Sequence, residues 1–300
     1  MTAFYRALFW TLARAGRPFG GVRPRRWTHA VAERAFPTGP NESDFRWVRD
    51  DWGSELRLNP YYYMDRTIIA FGQHERQVHR LLAARLRPGM VCFDVGANIG
   101  ELTLHMARRV APAGHVHAFE PAPLLLPRLR AHVARNPAGA AVTVHPVALC
   151  DREGSVEMAT APAAVGNQGM ASLVNTTHDS LSELHTVPTT TLDAFVATRD
   201  IPRVDFMKID IQGAEPLLLD GGRHVFGTLG PDLVMEVSPG DMAPIGRSAS
   251  DLLVQLESFG YAVHSIAPDG TPARRLHGAQ VTDSDFDGVE AVFCTKRPIA

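Results

Sequence analysis

The stretch Val91-Cys-Phe-Asp94-Val-Gly96-Ala-Asn98-Ile-Gly100 decides the fold class, because an apolar run leads directly into a glycine-rich turn. The apolar residues predict a buried strand, and a helix should begin near Glu101. Glycine has no Cβ, so we expect Gly96 and Gly100 to let a ligand lie against the backbone, beside the free N–H groups of the helix's first turn. The pattern therefore predicts a nucleotide-binding turn at the end of a strand.

Three side chains narrow the choice of ligand. A dinucleotide fingerprint has the form Gly-x-Gly-x-x-Gly, but Asn98 stands at its second glycine, which disfavours a pyrophosphate. Asp94, at the end of the strand, suits a ligand with an ammonium group. Glu120, at the end of the next predicted strand, could accept both hydroxyls of an adenosine ribose. Either acid alone is equally well explained as a helix cap or a solvated loop residue, but their joint spacing predicts S-adenosylmethionine as the cofactor.

Four motifs resemble, in order and spacing, those of the FkbM-type methyltransferases: Asp94 to Gly100, Phe119 to Pro123, Thr191 to Asp193, and Lys208 to Glu215. The resemblance covers about residues 70 to 265. It implies S-adenosylmethionine-dependent O-methylation of hydroxyls on sugars or small molecules, in a class I methyltransferase, Rossmann-like fold. Substrates vary widely in this family, so the resemblance implies the chemistry and not the acceptor. The chain departs from the commonest family wording at Gln212, where glutamate is frequent.

Strands and helices alternate from about residue 90 onward, which predicts an α/β fold with a doubly wound, mostly parallel sheet. We expect seven core strands, and the resemblance implies that the last, at 289–294, is antiparallel. Residues 1–70 should form an N-terminal helical and basic extension with short strands. Residues 71–300 should form the S-adenosylmethionine-binding methyltransferase domain.

A long polar segment at 161–186 follows a strand predicted at 142–149 and a short extra strand at 154–160. Long segments of this kind are commonly lids or binding loops. Within it, the stretch from Asn167 to Leu173 resembles a segment of the family and could close over the acceptor. His178 and His185 flank this stretch. A histidine base is chemically attractive at neutral pH, yet an exposed loop histidine is more often simply solvated.

Asp210 is the preferred acceptor-side carboxylate, because ligands in open α/β sheets bind outside the carboxyl ends of the strands. It could act as a general base, as an orienting hydrogen-bond acceptor, or as the ligand of a divalent cation. Lys208 lies two residues earlier, on the same face of the strand. Its ammonium could lower the pKa of a substrate hydroxyl or hold Asp210 ionised, and a structural ion pair is the alternative. We predict Asp210 and Lys208 as catalytic residues.

Other acids near strand ends have competing explanations. Glu215 begins a helix, where capping is the favoured role. Glu236 ends a strand and could bind substrate or be structural. Asp151 could reach the adenine amino group or could be only a turn residue. The predicted cofactor-binding set is Asp94, Gly96, Asn98, Gly100, Glu120 and Asp151.

Composition narrows the function classes further. The net charge of -2 gives no broad basic field, so nucleic acid is not expected as a partner. The three cysteines have no paired spacing, which predicts buried, reduced thiols in a cytoplasmic protein. No Cys-x-x-Cys or histidine cluster indicates zinc, so no metal ligands are predicted. No apolar run is long enough to span a bilayer.

The N-terminal segment Phe4 to Arg14 is apolar with interspersed arginines, and a basic stretch follows it. Its apolar core is short for a signal peptide. A helix lying on a membrane surface is a second interpretation, but we favour a helix that packs on the domain or a mobile tail. The expected partner is a small-molecule or saccharide substrate, and self-association into a homo-oligomer stays open.

Two other functions compete with methyl transfer as interpretations of this sequence. A nicotinamide-dependent oxidoreductase on a Rossmann sheet is opposed by Asn98 and by the motif from Lys208 to Glu215. A non-catalytic protein that keeps the cofactor fold is opposed by the intact acids Asp94, Glu120 and Asp210.

Overall fold

The computed structural model describes residues 2–16, 23–37, 39–162, 171–173, 183–286 and 290–299. These residues form two compact units, one with all the described residues up to Glu75 and the other with nearly all those from Arg76 onward. The predicted division into an extension and a cofactor-binding domain stays a prediction. Within the described ranges, no helix is long and apolar enough to cross a membrane.

Among its described residues, the smaller unit has three α-helices and a hairpin. Its elements are α1 (Thr2–Gly16), α2 (Arg23–Ala35), β1 (Arg46–Arg49), β2 (Glu55–Leu58) and α3 (Tyr63–Phe71). The two strands pair antiparallel, in the segment where short strands were predicted. Phe9, Leu56 and Ile68 are fully buried in it. Helix α3 ends at Gly72, whose left-handed backbone is typical of a helix C-terminus.

The larger unit contains an eight-stranded sheet and a separate three-stranded sheet. Its helices are α4 (Arg76–Arg85), α5 (Glu101–Val110), α6 (Leu126–Arg135), α7 (Leu192–Thr198), α8 (Glu215–Gly221), α9 (Pro239–Met242) and α10 (Ala249–Ser258). Its strands are β3 (Val91–Val95), β4 (His115–Phe119), β5 (Val142–His145), β6 (Ala148–Leu149), β7 (Gly154–Thr160), β8 (Glu183–Thr190), β9 (Phe206–Ile209), β10 (Asp232–Val237), β11 (Ala262–Ile266), β12 (Pro272–Leu276) and β13 (Glu290–Thr295).

The large sheet has the order β12-β11-β13-β10-β9-β3-β4-β5. Strands β10, β9, β3, β4 and β5 pair parallel, and β13 inserts antiparallel between β10 and β11. This confirms the doubly wound α/β class I methyltransferase fold with an antiparallel last strand. The eighth strand, β12, was not predicted because its residues are mostly exposed and lack an alternating apolar pattern.

Two predicted boundaries were wrong. The strand predicted at 142–149 divides at Pro146, whose missing N–H cannot continue a ladder. Strand β5 stays in the large sheet, and β6 pairs with β8 in the small one. The polar segment predicted to run to residue 186 already contains strand β8 from Glu183, which pairs along β7.

His185 consequently lies in strand β8, with Nε2 3.7 Å from a carboxylate oxygen of Glu183. His178 and most of the stretch from Asn167 to Leu173 lie outside the described residues.

The central strands β3 and β9 bury both of their faces. Phe93 and Met207 belong to one hydrophobic cluster, and Cys92 and Phe206 belong to a second one that includes residues of α4 and α5. Since side chains alternate along a strand, Asp94 shares the face of Cys92. The winding direction reverses between β3 and β9, and open α/β sheets bind their ligands outside the carboxyl ends of the strands at such a point.

Candidate functional site

The glycine-rich turn after β3 uses left-handed backbone conformations. Gly96 has φ +79°, Asn98 +52° and Gly100 +89°. A Cβ on Gly96 would lie 1.8 Å from the carbonyl oxygen of Asp210, and a Cβ on Gly100 would lie 2.5 Å from Leu129 Cδ1. Both positions therefore require glycine, so that the turn can pack against a neighbouring strand end and a helix. The sequence alone did not predict this packing role. The contact of this turn with a ligand stays a prediction.

Glu120 connects the end of β4 to the glycine-rich turn. Its Oε2 accepts the backbone N–H of Asn98 at 2.7 Å, and its Oε1 accepts that of Ala122 at 2.8 Å. Burial raises the pKa of Glu120 to about 7, although the two N–H groups oppose this shift. Each carboxylate oxygen keeps a second lone pair that could accept a ligand hydroxyl. Glu120 thus lies at the predicted strand end and also fixes the shape of the turn.

Asp94 is fully buried at the end of β3. Its Oδ2 accepts a hydrogen bond of 2.5 Å from the hydroxyl of Thr103. Its Oδ1 has no hydrogen-bond partner among the described residues and lies 3.6 Å from Lys208 Nζ. Burial raises the pKa of Asp94, while the Lys208 ammonium and the Thr103 hydroxyl act in the opposite direction. An oxygen whose nearest partner is a cation 3.6 Å away keeps lone pairs for a ligand that brings an ammonium group.

Thr103 was missed in the sequence. It stands in the first turn of α5, and side chains of a helix lean toward its N-terminus, so its hydroxyl reaches back to the strand end. Its position in the first turn of the helix that follows the glycine-rich turn could have identified Thr103 from the sequence.

Lys208 is a buried cation between two carboxylates. Strands β3 and β9 pair with Asp94 opposite Lys208. Lys208 Nζ donates a hydrogen bond of 2.7 Å to the carbonyl oxygen of Gly96 and lies 3.3 Å from Oδ2 of Asp210. The predicted neighbours Lys208 and Asp210 are therefore together, and Asp94 joins them.

Asp210 directly follows β9 and is the more accessible of the two acids, with 27% of its side chain exposed. Burial raises its pKa, but the Lys208 ammonium and interactions with the side chains of Glu236 and Gln212 outweigh burial. The pKa of Asp210 consequently lies well below its ordinary value. At neutral pH its carboxyl group is ionised and can accept a hydrogen bond.

Gln212 joins Asp210 to the end of β10. Its Nε2 lies 2.9 Å from Oδ1 of Asp210 and 2.9 Å from Oε2 of Glu236. Its backbone is left-handed, with φ +51°, and its carbonyl oxygen accepts a hydrogen bond of 2.9 Å from the Ser172 hydroxyl. The bridging role was not predicted, although the departure of the chain from the family wording at this position was noted.

Glu215 closes the same turn from the other side. Its Oε1 accepts the backbone N–H of Ile211 at 3.0 Å, and burial raises its pKa to about 7. Helix α8 begins at this residue, and Pro216 lies in its first turn, where a missing N–H is tolerated.

Asp151 follows β6 and stands apart from this network. Its carboxylate accepts from the Cys150 thiol at 3.0 Å and from the Arg152 guanidinium at 3.1 Å. Among the described residues, its hydrogen bonds go only to these two neighbours. Its predicted contact with adenine stays a prediction. In the part of the chain that the structure describes, no group of three or more histidine, cysteine or acidic residues could hold a metal ion.

Comparison with known proteins identifies the family. The model of the methyltransferase FkbM domain matches residues 94–263. The AMB antimetabolite synthetase AmbE of Pseudomonas aeruginosa is 30% identical over 259 residues, covering 73% of this chain and 12% of that protein. The 31-O-demethyl-FK506 methyltransferase FkbM of Streptomyces tacrolimicus is 55% identical over 51 residues, 17% of this chain and 19% of that one. The chain therefore spans less than a fifth of the length of either relative.

A solved structure, the methyltransferase FkbM from Methylobacillus flagellatus, has a TM-score of 0.44 and 15% identity, over 77% of this chain and 66% of that one. The family match covers more than half of the chain, from Asp94 in β3 to Val263 in β11. This chain belongs to the FkbM methyltransferase family.

Proposed function

We propose that the protein is an S-adenosylmethionine-dependent O-methyltransferase that acts on a hydroxyl of a sugar, a glycan or a small natural product. The observation that carries the proposal is the arrangement of Asp94, Lys208 and Asp210 at the carboxyl ends of β3 and β9, with Glu120 beside them. This is the point where the winding of the sheet reverses, and open α/β sheets bind their ligands there.

The cofactor side consists of the glycine-rich turn and two acids. When bound, S-adenosylmethionine supplies a methyl group activated by the positive charge of its sulfonium. We propose that Glu120 accepts the ribose hydroxyls, and that the unbonded oxygen of Asp94 accepts from the ammonium end of the ligand. The full proposed set is Asp94, Gly96, Asn98, Gly100, Glu120 and, for the adenine amino group, Asp151.

The acceptor side depends on Asp210. Its exposed, ionised carboxylate can accept a hydrogen bond from an acceptor hydroxyl and so orient its oxygen. A carboxylate with a lowered pKa is a weak base, so proton removal has to accompany transfer rather than precede it. Of the three roles that the sequence left open, we therefore propose the orienting hydrogen-bond acceptor. Lys208 serves this role by holding Asp210 ionised.

The kind of acceptor is inferred from a relative. The name 31-O-demethyl-FK506 methyltransferase describes, for that protein, methylation of an oxygen of 31-O-demethyl-FK506. A hydroxyl acceptor also suits a carboxylate, which can only accept hydrogen bonds. We propose the cytoplasm as its location, in keeping with the three buried free cysteines. The expectations on nucleic acid, membrane contact and self-association stay predictions.

Calorimetry of the purified protein with S-adenosylhomocysteine, and in parallel with NAD and NADP, tests the cofactor. Micromolar binding of S-adenosylhomocysteine would support the proposal, and binding of a nicotinamide cofactor instead would overturn it.

The acceptor side is tested by Asp210→Asn in a methyl-transfer screen of sugar and polyketide hydroxyls. We expect this variant to lose transfer while its affinity for S-adenosylhomocysteine stays within a few fold. Asp220→Asn is a matched control, because the Asp220 side chain is 25% exposed and pairs with arginines instead of Lys208. Full activity of Asp210→Asn would remove Asp210 from the acceptor side.

A further inference from the structure

We infer that Gln212 is the positioning residue of the acceptor side, where its single amide group holds the carboxylates of Asp210 and Glu236 in one fixed arrangement. The inference rests on the proposed function, because it takes Asp210 to face the acceptor. Its direct basis is the pair of 2.9 Å distances from Gln212 Nε2 to Oδ1 of Asp210 and Oε2 of Glu236.

A primary amide is well suited to this task. Its nitrogen carries two hydrogens, one for each carboxylate, and adds no charge. Two ionised carboxylates at neighbouring strand ends repel each other, and such pairs usually retain a proton. A donor shared by both groups reduces that tendency, because its hydrogen bond stabilises the ionised form of Asp210.

The two oxygens of Asp210 have different partners. Oδ2 lies 3.3 Å from the Lys208 ammonium, and Oδ1 accepts from Gln212. A carboxylate held at both oxygens cannot rotate freely, so its remaining lone pairs keep a fixed direction. Gln212 therefore orients the group that is proposed to receive the acceptor hydroxyl.

The backbone at Gln212 supports a functional role for its side chain. Its φ of +51° lies in a region that favours glycine, and Gly213 beside it is also left-handed. The strained turn is held by the Ser172 hydroxyl on the Gln212 carbonyl and by Glu215 on the N–H of Ile211. The backbone conformation at this position favours glycine, which has no side chain. The chain nevertheless has a glutamine here, and both hydrogens of its amide take part in hydrogen bonds.

The charged groups around Asp210 come from four elements. Lys208 lies on β9, Asp94 on β3, Glu236 on β10 and Glu215 at the start of α8. Lys208 is the single cation of this set, so the carboxylates outnumber it. Loss of the neutral amide should therefore raise the pH at which Asp210 takes up a proton.

The experiment is a carboxyl ¹³C NMR titration of protein labelled at aspartate and glutamate, with the Asp210 signal assigned from Asp210→Asn. Gln212→Met removes both donors but keeps an unbranched side chain and the same backbone strain. We expect it to raise the apparent pKa of Asp210 by about one unit or more, while the affinity for S-adenosylhomocysteine stays within about threefold. Gln255→Met is the control, because Gln255 donates similarly to Asp220, 3.0 Å away.

A second variant covers the case in which Gln212→Met does not fold. Gln212→Glu replaces the shared donor by a third carboxylate, so the cluster should retain a proton up to near neutral pH, seen as a new titration in the same spectra. An Asp210 titration that is unchanged in Gln212→Met, or a Gln212→Glu protein in which all three acids titrate normally, would overturn the inference.

The experiment distinguishes failure of the proposed function from failure of the positioning role of Gln212. If the wild-type protein does not bind S-adenosylhomocysteine, the proposed function fails, whereas the titration still decides whether Gln212 controls Asp210. If the cofactor product binds and the Asp210 titration does not respond to Gln212, only the positioning role fails. With an acceptor that is turned over, Gln212→Met should lower kcat more than it raises KM.

Discussion

Replacing Lys208 with methionine should remove the cation that lies between two carboxyl groups in the protein interior and favours their ionised forms. In the native protein, Lys208 Nζ lies 3.6 Å from Asp94 Oδ1, 3.3 Å from Asp210 Oδ2 and 2.7 Å from the carbonyl oxygen of Gly96. Methionine has a similar length and no charge. The variant therefore keeps most of the packing and loses all three interactions.

The expected loss of stability follows from these contacts. Breaking a buried ion pair by removing one partner costs about 3–5 kcal/mol, since the remaining charge stays buried. Asp94 is fully buried and should account for most of this loss. Asp210, with 27% of its side chain exposed, can be partly solvated and should contribute less. We expect a decrease of about 4 kcal/mol in the free energy of unfolding near pH 8.

The loss should depend on pH in a defined direction. Lys208 holds the pKa of Asp210 below its ordinary value, so the wild-type protein gains stability above about pH 4, and this gain disappears as the pH falls. In the variant this gain is absent, and both carboxyl groups can take up protons. The difference between the two proteins should therefore shrink as the pH falls from about 7 towards about 4.

The assay is urea unfolding followed by far-UV circular dichroism. Tryptophan fluorescence is unsuitable, because all four tryptophans precede residue 55 and so lie outside the larger unit. Lys296→Met is the matched control: Lys296, the only other lysine of the chain, is half-buried, pairs with no carboxylate among the described residues and donates to the carbonyl oxygen of Gly227. It should cost less than about 1 kcal/mol. A loss in Lys208→Met that is equally small, or that is the same at pH 8 and pH 5, would refute the reasoning.

Two other titrating sites give further predictions. Burial raises the pKa of Glu120 to about 7. We therefore expect the affinity for S-adenosylhomocysteine, measured by calorimetry, to fall roughly tenfold from about pH 7.5 to about pH 6, and Glu120→Gln should abolish this dependence on pH. An equal change of affinity with pH in both proteins would count against a ligand contact of Glu120. Burial lowers the pKa of His117 to about 3 and that of His145 to about 4. The unfolded chain therefore binds more protons than the folded one below about pH 6.5, and stability should fall as the pH drops towards about 4. Urea unfolding at several pH values checks this prediction. His145→Gln should make the free energy of unfolding depend less on pH, and an unchanged dependence would contradict the prediction.

The sequence predicted the strand-end acids because spacing along the chain determines them. Alternating elements place Asp94, Glu120 and Asp210 at the carboxyl edge of one sheet, whatever their exact contacts. The carboxyl edge of a parallel sheet also collects the ends of strands that are far apart in sequence. Lys208 and Asp94, more than a hundred residues apart, could therefore be assigned to one region without any knowledge of register.

Contacts that depend on side-chain geometry could not be predicted in the same way. The hydrogen bond from Thr103 to Asp94 depends on the exact start of α5, and the bridge from Gln212 depends on a left-handed residue that no sequence pattern specifies. Strand β12 was missed because an exposed edge strand needs no apolar face. The division at Pro146 was missed because apolar residues on both sides of this proline resemble one continuous strand.

At this site the same residues maintain the structure and take part in the proposed chemistry. This overlap determines which variants are informative. Glu120 fixes the N–H of Asn98, and Lys208 fixes the carbonyl of Gly96, so removing either one deforms the glycine-rich turn as well as the chemistry. Loss of activity in those variants would not separate the two effects. Asp210 and Gln212 lie at the partly exposed end of the network, where a substitution of equal size changes charge or hydrogen bonding with little loss of burial. Variants at these two positions are therefore the ones in which a change of rate or of titration reports on the chemistry of the site.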